Sequence, residues 1–126
     1  MEMNNLAALA TAIPVALAGK SRQLSAKNCL LFDLTISNDD TADFYVQLWD
    51  VAAVGDIGGA DADDAPDFEE VVPAGSFLPF GFNQGYQFHR GLYVRAVTAL
   101  GGSTLIATDS ARMAGRYLSP YPILTA

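Results

Sequence analysis

The sequence of 126 residues is poor in cysteine, in charged side chains and in long apolar runs. Its single cysteine, Cys29, has no second cysteine in the chain with which to form a disulfide, and thiolate metal centres need several cysteines. Because Cys29 begins the apolar run at 29–32, we interpret it as a small buried hydrophobic residue. Stability must therefore come from packing or from neighbouring chains.

Charge is scarce and mostly negative. Charged residues make up 17% of the chain and hydrophobic residues 51%, a balance that excludes disorder for most of its length. The net charge is −7, whereas nucleic-acid backbones and anionic membranes attract basic surfaces. We therefore expect no nucleic acid and no membrane among the partners. The length fits one domain.

The longest apolar stretch, residues 6–18, is shorter than the roughly 20 residues of a transmembrane helix. Its amino-terminal flank carries Glu2 and no basic residue, which does not fit a signal peptide, and Pro14 would interrupt a helix. We predict that residues 1–19 form an extended N-terminal arm covered by a neighbouring subunit, with packing on its own domain as the alternative. The arm residues expected to contact a partner are Leu6, Leu9, Ile13, Val15 and Leu17.

Period-two alternation of apolar and polar residues predicts strands in the rest of the chain. Segments 30–37 and 44–50 both alternate, and the Asn- and Asp-rich turn between them predicts that they pair as an antiparallel hairpin. Gly101 and Gly102 predict a tight hairpin turn. Further strands are predicted at 68–72, 76–80, 91–98 and 112–118.

Seven or eight short strands without an amphipathic helix predict an all-β fold. We expect an antiparallel β-sandwich, of jelly-roll or immunoglobulin-like type, with residues 20–126 as a single domain after the arm. The apolar faces of three strands should form its core. Those core residues are Leu30, Phe32, Leu34, Ile36, Phe44, Val46, Leu48, Leu92, Val94 and Ala96.

The sequence predicts no catalytic centre, no cofactor and no metal site. His89, the only histidine, lies outside any Gly-x-Ser-x-Gly elbow, so we interpret it as a structural or surface residue. Acidic residues crowd the loop that contains Asp61, but Pro66 and Val72 occupy the glycine and glutamate positions of a calcium loop. A solvated acidic loop is the prediction, with adventitious Ca²⁺ as the alternative.

Aromatic residues lie on the strand faces opposite the predicted core. Tyr45 and Trp49 alternate with core residues of one segment, and Tyr93 does so in another. Together with Tyr86 and Phe88, they fit either an aromatic platform for sugars or a face between subunits, where tyrosine, tryptophan and phenylalanine are enriched. We predict the second, so Tyr45, Trp49 and Tyr93 join the arm residues as candidate assembly contacts.

Three stretches of the chain resemble a group of small β-sandwich virion proteins of tailed bacteriophages: LLFDLTISNDDTADFYVQLWD, VVPAGSFLPF and GLYVRAVTA. Members of that group are typically head-decoration (cement) proteins or other virion surface components, often trimeric. The resemblance implies a non-enzymatic capsid decoration protein that stabilises the head through contacts between subunits. Its implied partners are the major capsid protein or other virion subunits, and it would itself be a homo-oligomer, with a trimer as one form.

The implied localisation is the virion, after assembly in the host cytoplasm. Two alternatives remain. One is a tail-associated structural protein of the same particle. The other, from a different functional class, is a carbohydrate-binding or host-adhesion β-sandwich module that uses Tyr and Trp side chains to stack on sugars.

Overall fold

The computed structural model describes residues 11–57 and 65–119, and for residues 11–18 it describes the backbone. These residues contain eight strands and one short 3-10 turn, Val54–Asp56, and no α-helix. The all-β prediction is confirmed. The strands are β1 (Thr11–Gly19), β2 (Ser21–Ser25), β3 (Cys29–Asn38), β4 (Phe44–Trp49), β5 (Phe68–Val72), β6 (Phe77–Phe88), β7 (Leu92–Val97) and β8 (Ala111–Leu118).

The strands form two antiparallel sheets of four. The first sheet has the order β1-β8-β3-β6 and the second the order β2-β7-β4-β5. The pairs are nested, because β1 pairs with β8, β2 with β7, β3 with β6 and β4 with β5. An antiparallel ribbon rolled up in this way is a jelly roll, which is one of the two sandwich types that the sequence predicts.

The predicted hairpin between segments 30–37 and 44–50 is wrong. β3 lies in the first sheet and β4 in the second, so the connection at 39–43 crosses from one sheet to the other. Asn38 stabilises this connection, since its side-chain amide donates to the carbonyl oxygens of Ala42 and Val72, each at 2.9 Å. Alternation shows which face of a strand is buried, but it does not identify the neighbouring strand.

The core lies between the two sheets and contains most of the predicted residues. The predicted residues of β4 and β7 belong to one buried cluster, together with Leu34 and Ile36 of β3. Leu30 and Phe32 are also buried but lie outside that cluster, and Leu31 belongs to it instead. The register of β3 shifts between Leu31 and Asp33 against both of its neighbours, so a β-bulge at Phe32 changes the face of the preceding residues.

β6 is longer than the predicted strand at 76–80 because it continues through a wide irregularity. Leu31 pairs with Tyr86 and Asp33 pairs with Gly81, which leaves residues 82–85 opposite the bulge at Phe32. Gly85 has a φ of +84°, in the left-handed region, and a Cβ there would collide with the side chain of Leu30. Glycine is therefore required at this position on two grounds.

Residues 11–19 form an edge strand of the first sheet. β1 pairs with β8 from Thr11 opposite Tyr117 to Gly19 opposite Ala111. The sequence assigned this segment to an arm outside the sandwich, whereas its backbone lies in the sheet of its own domain. Ile13, Val15 and Leu17 are thus positions of β1, and Leu6 and Leu9 lie outside the described residues.

Candidate functional site

The outer face of the second sheet carries a buried polar cluster centred on Gln47. Gln47 pairs with Glu69 of β5 on one side and with Arg95 of β7 on the other. Gln47 alternates with core residues of β4 and therefore points away from the core, yet it is only 1% exposed. We call Gln47, Trp49, Glu69 and Arg95 the Gln47 cluster.

The side-chain amide of Gln47 uses all of its hydrogen-bonding capacity. Its Oε1 accepts from Arg95 Nε at 2.7 Å and from Trp49 Nε1 at 2.9 Å. Its Nε2 donates to Glu69 Oε2 at 2.6 Å and to the carbonyl oxygen of Gly102 at 3.0 Å. An amide has two acceptor positions and two donors, so Gln47 is fully satisfied and joins three strands and one loop.

The loop that covers the cluster is the one predicted as a tight hairpin at Gly101 and Gly102. It turns at these residues, with the N–H of Gly102 donating to Ala99 at 2.9 Å, and then folds back over the outer face. Gly101 has a φ of +70°, and its N–H donates to Glu69 Oε2 at 2.8 Å. The strand expected after this turn is reduced to one bridge between Val97 and Leu105.

Trp49 lies at the centre of the covered face. The guanidinium carbon of Arg95 is 5.1 Å from the centre of the Trp49 ring, a cation–π arrangement. On its other flank Trp49 packs with Val51 and Tyr93, and Ile57 contacts this group. Beside these side chains is a cavity of about 330 Å³, lined by the four members of the Gln47 cluster and by residues at 57, 65–66 and 101–103.

Two of the predicted assembly residues, Trp49 and Tyr93, are buried within the chain itself, and their role in assembly stays a prediction. Trp49 is 4% exposed and Tyr93 is 6% exposed, and both pack with Val51 and Ile57 from the segment that follows β4. Little area is left for a partner subunit or for a sugar to stack on the rings. Tyr45 is half-buried, and its role in assembly stays a prediction.

His89 belongs to a turn that a buried carboxylate holds in place. Asp50 accepts hydrogen bonds from the backbone N–H groups of His89 at 3.0 Å and Arg90 at 2.7 Å. Gly91 follows, and a Cβ there would be 2.5 Å from the carbonyl oxygens of Ser25 and Val51. The structural contribution of His89 is made by its backbone, while the residue itself is exposed.

Cys29 has the environment of an unreactive thiol. It is fully buried in the core cluster, and burial raises the pKa of its thiol to about 12, with a smaller contribution from the Asp50 carboxylate. The thiolate is the nucleophilic form, so the group stays protonated and inert at neutral pH. This agrees with the interpretation of Cys29 as a small hydrophobic residue.

An aromatic cluster joins edge strand β5 of the second sheet to edge strand β6 of the first. Phe68 of edge strand β5 packs against Phe80, Phe82 and Tyr86 of edge strand β6, with ring centres 4.8–5.9 Å apart. Tyr86 also donates to Asp67 Oδ2 at 2.9 Å, and desolvation followed by this hydrogen bond raises the pKa of its phenol. These aromatic rings pack on one another and so hold the edges of the two sheets together.

The acidic residues Asp61, Asp63 and Asp64 lie outside the described residues. Within 11–57 and 65–119, no three His, Cys, Asp or Glu side chains are grouped so that they could hold a metal ion. No helix in this part of the chain has the length and hydrophobicity to cross a membrane. Comparison with models of protein families, with curated proteins and with solved structures finds no match.

Proposed function

We propose that this chain is a non-enzymatic structural protein of a tailed-phage virion, and that it acts as a decoration or cement protein on the capsid. The three stretches that resemble virion β-sandwich proteins support this proposal. The jelly roll is an architecture of viral capsid proteins, but lectins and cupins use it too, so the fold alone does not choose among them. The proposed partners are the major capsid protein or other virion subunits, and sister copies in a homo-oligomer.

The observation that carries the proposal is the outer edge of β1, the first strand in the order of its sheet. Its sequence, TAIPVALAG, has no charged residue, and no other described strand pairs with the edge that faces away from β8. Proteins that remain monomeric protect such edges with charged residues, above all lysine, or with proline. Pro14 removes one backbone donor from this strand and its register shifts between Ile13 and Leu17, but no charged side chain protects the strand. The edge is therefore suited to contact with another subunit.

The mechanism is burial of apolar area across subunit boundaries. At about 25 cal/mol per Å², an apolar contact of roughly 800 Å² contributes about 20 kcal/mol before the entropy of association is subtracted. Backbone hydrogen bonds along β1 would fix the orientation of that contact, because a partner strand that pairs with β1 is held in one register. Stabilisation of the head would follow from joining neighbouring capsid subunits.

A charge placed on the β1 edge tests this mechanism. Val15→Lys should weaken binding to purified heads at least tenfold in co-sedimentation, with unchanged β-sheet circular dichroism. Ala107→Lys, in an exposed loop, is the matched control and should bind like the unmodified protein. If Val15→Lys does not fold, Thr11→Lys at the start of the strand replaces it. Equal binding by the folded β1 variant and the control would show that the β1 edge is not the contact.

Imaging of a purified particle tests the proposal as a whole. Density for this chain on the outside of the head is the expected result. Its presence only on the tail would favour the tail-associated alternative. Its absence from the particle, combined with glycan binding by the isolated protein, would favour the carbohydrate-binding alternative, which the enclosed position of Trp49 makes less suitable.

A further inference from the structure

We propose that the cavity beside the Gln47 cluster binds a small molecule with one carboxylate and, a few ångströms from it, a hydroxyl or ammonium donor. This function is additional to assembly and does not depend on it. The cavity volume of about 330 Å³ is at the lower end of the range for small-molecule sites. The ligand class follows from two charged side chains that line the cavity without pairing with each other.

Arg95 supplies the positive charge. It is only 8% exposed, and its described hydrogen bond uses Nε alone. No carboxylate of the described residues forms an ion pair with Arg95, so its two terminal nitrogens have no anionic partner there. A guanidinium binds a carboxylate through two parallel hydrogen bonds, and a buried cation gains most from such a partner. The terminal nitrogens of Arg95 are therefore a carboxylate site.

Glu69 supplies the complementary acceptor. Both of its described hydrogen bonds, from Gln47 Nε2 and from the N–H of Gly101, end on Oε2. Its Oε1 accepts no hydrogen bond from the described residues and can receive one from a ligand hydroxyl or ammonium group. Because Glu69 is negative and the whole chain carries a charge of −7, a doubly charged anion such as phosphate is disfavoured.

Gln47 keeps the two charges apart. Its amide lies between them, bonded to Arg95 through Oε1 and to Glu69 through Nε2, and it has no capacity left for a ligand. No ion pair joins Arg95 and Glu69 directly. A ligand with a carboxylate and a neighbouring donor would bind Arg95 through the carboxylate and Glu69 through the donor. Two classes of small molecule have this chemistry: amino acids, and hydroxy acids such as sugar acids.

Trp49 is the only tryptophan in the sequence and lines the cavity as a member of the Gln47 cluster, so its fluorescence reports on the site. The full chain is titrated with four probes: glucuronate, L-alanine, acetate and glucose. Glucuronate or L-alanine should give a saturable change with a Kd below about 10 mM. Acetate, which lacks the donor, and glucose, which lacks the carboxylate, should bind at least tenfold more weakly. Which of the first two probes binds more tightly distinguishes a sugar acid from an amino acid.

Two variants test the assigned roles. Arg95→Gln should abolish the response to the better probe, and Glu69→Gln should weaken it at least fivefold. Arg22→Gln, an exposed arginine on β2, is the control and should bind like the unmodified protein. Arg95→Met, which also removes the positive charge, is used if Arg95→Gln does not fold. The absence of a saturable response to every probe would overturn the proposal, as would equal binding of glucose or full binding by folded Arg95 variants. None of these outcomes bears on capsid binding, which is measured separately.

Discussion

Replacing Gln47 with methionine removes the amide that four other groups share while keeping an unbranched side chain of similar length. The Nε groups of Arg95 and Trp49 then lose their acceptor inside a covered face. A buried donor without a partner costs about 1–3 kcal/mol, so the two together should lower the free energy of unfolding by about 2–6 kcal/mol. The carbonyl of Gly102 also loses its donor, which loosens the loop at 98–104.

Urea denaturation followed by the fluorescence of Trp49 measures this loss. Gln84→Met, the same substitution at an exposed position of β6, is the matched control and should change stability by less than about 0.5 kcal/mol. A loss of less than about 1 kcal/mol for Gln47→Met would refute the reasoning, because it would mean that the amide is not the common acceptor of two buried donors.

Three further predictions follow from the core and the close approaches. Phe44→Ala should cost about 3–5 kcal/mol in urea denaturation, because Phe44 is one of the largest fully buried side chains of the core cluster and its removal leaves a cavity. Gly115→Ala should cost about 1–3 kcal/mol or more, since a Cβ there collides with the backbone of Asp33, whereas Gly81→Ala, with no atom within 4 Å, should be near neutral. Cys29 should resist thiol reagents at pH 8 in the folded protein and react after unfolding. Because folding raises the pKa of its thiol from 9.0 to about 12, the free energy of unfolding should be unaffected by this group below pH 9 and should fall as the pH rises from 9 to 12. Rapid labelling of the native thiol, or equal stability of the two glycine variants, would contradict these arguments.

The fold class could be predicted because the core residues of β4 and β7 recur at every second position of the sequence. This period of two indicates strands that bury one face against the core. The alternation of β3 was misleading near its start, since residues 29–32 are all apolar and give no sign of which residue bulges. The register there depends on Gly85 and the irregular part of β6, which are distant in sequence.

The candidate site could be predicted only in part. The outward position of Trp49 followed from the alternation of β4, but its burial depends on two loops that fold back over the sheet. The usable signal was the presence of Gln47 and Arg95 in strands that are otherwise apolar, since polar residues in such places need partners. Their pairing with Glu69 required the registers of β5 and β7 against β4, which local sequence does not determine.

The place of β1 in the first sheet changes what a truncation of the N-terminus tests. An arm outside the sandwich would be removable without loss of stability, but β1 pairs with β8 from Thr11 to Gly19, apart from one irregularity. Deleting residues 1–18 should therefore lower the free energy of unfolding by at least about 2 kcal/mol relative to deletion of residues 1–10, because β8 loses its neighbour and the hydrogen bonds between them. Urea denaturation of the two truncated proteins isolates this strand. Equal stability would show that β1 contributes nothing to its own sheet, and the whole segment 1–18 would then be free to act between subunits as the sequence predicts.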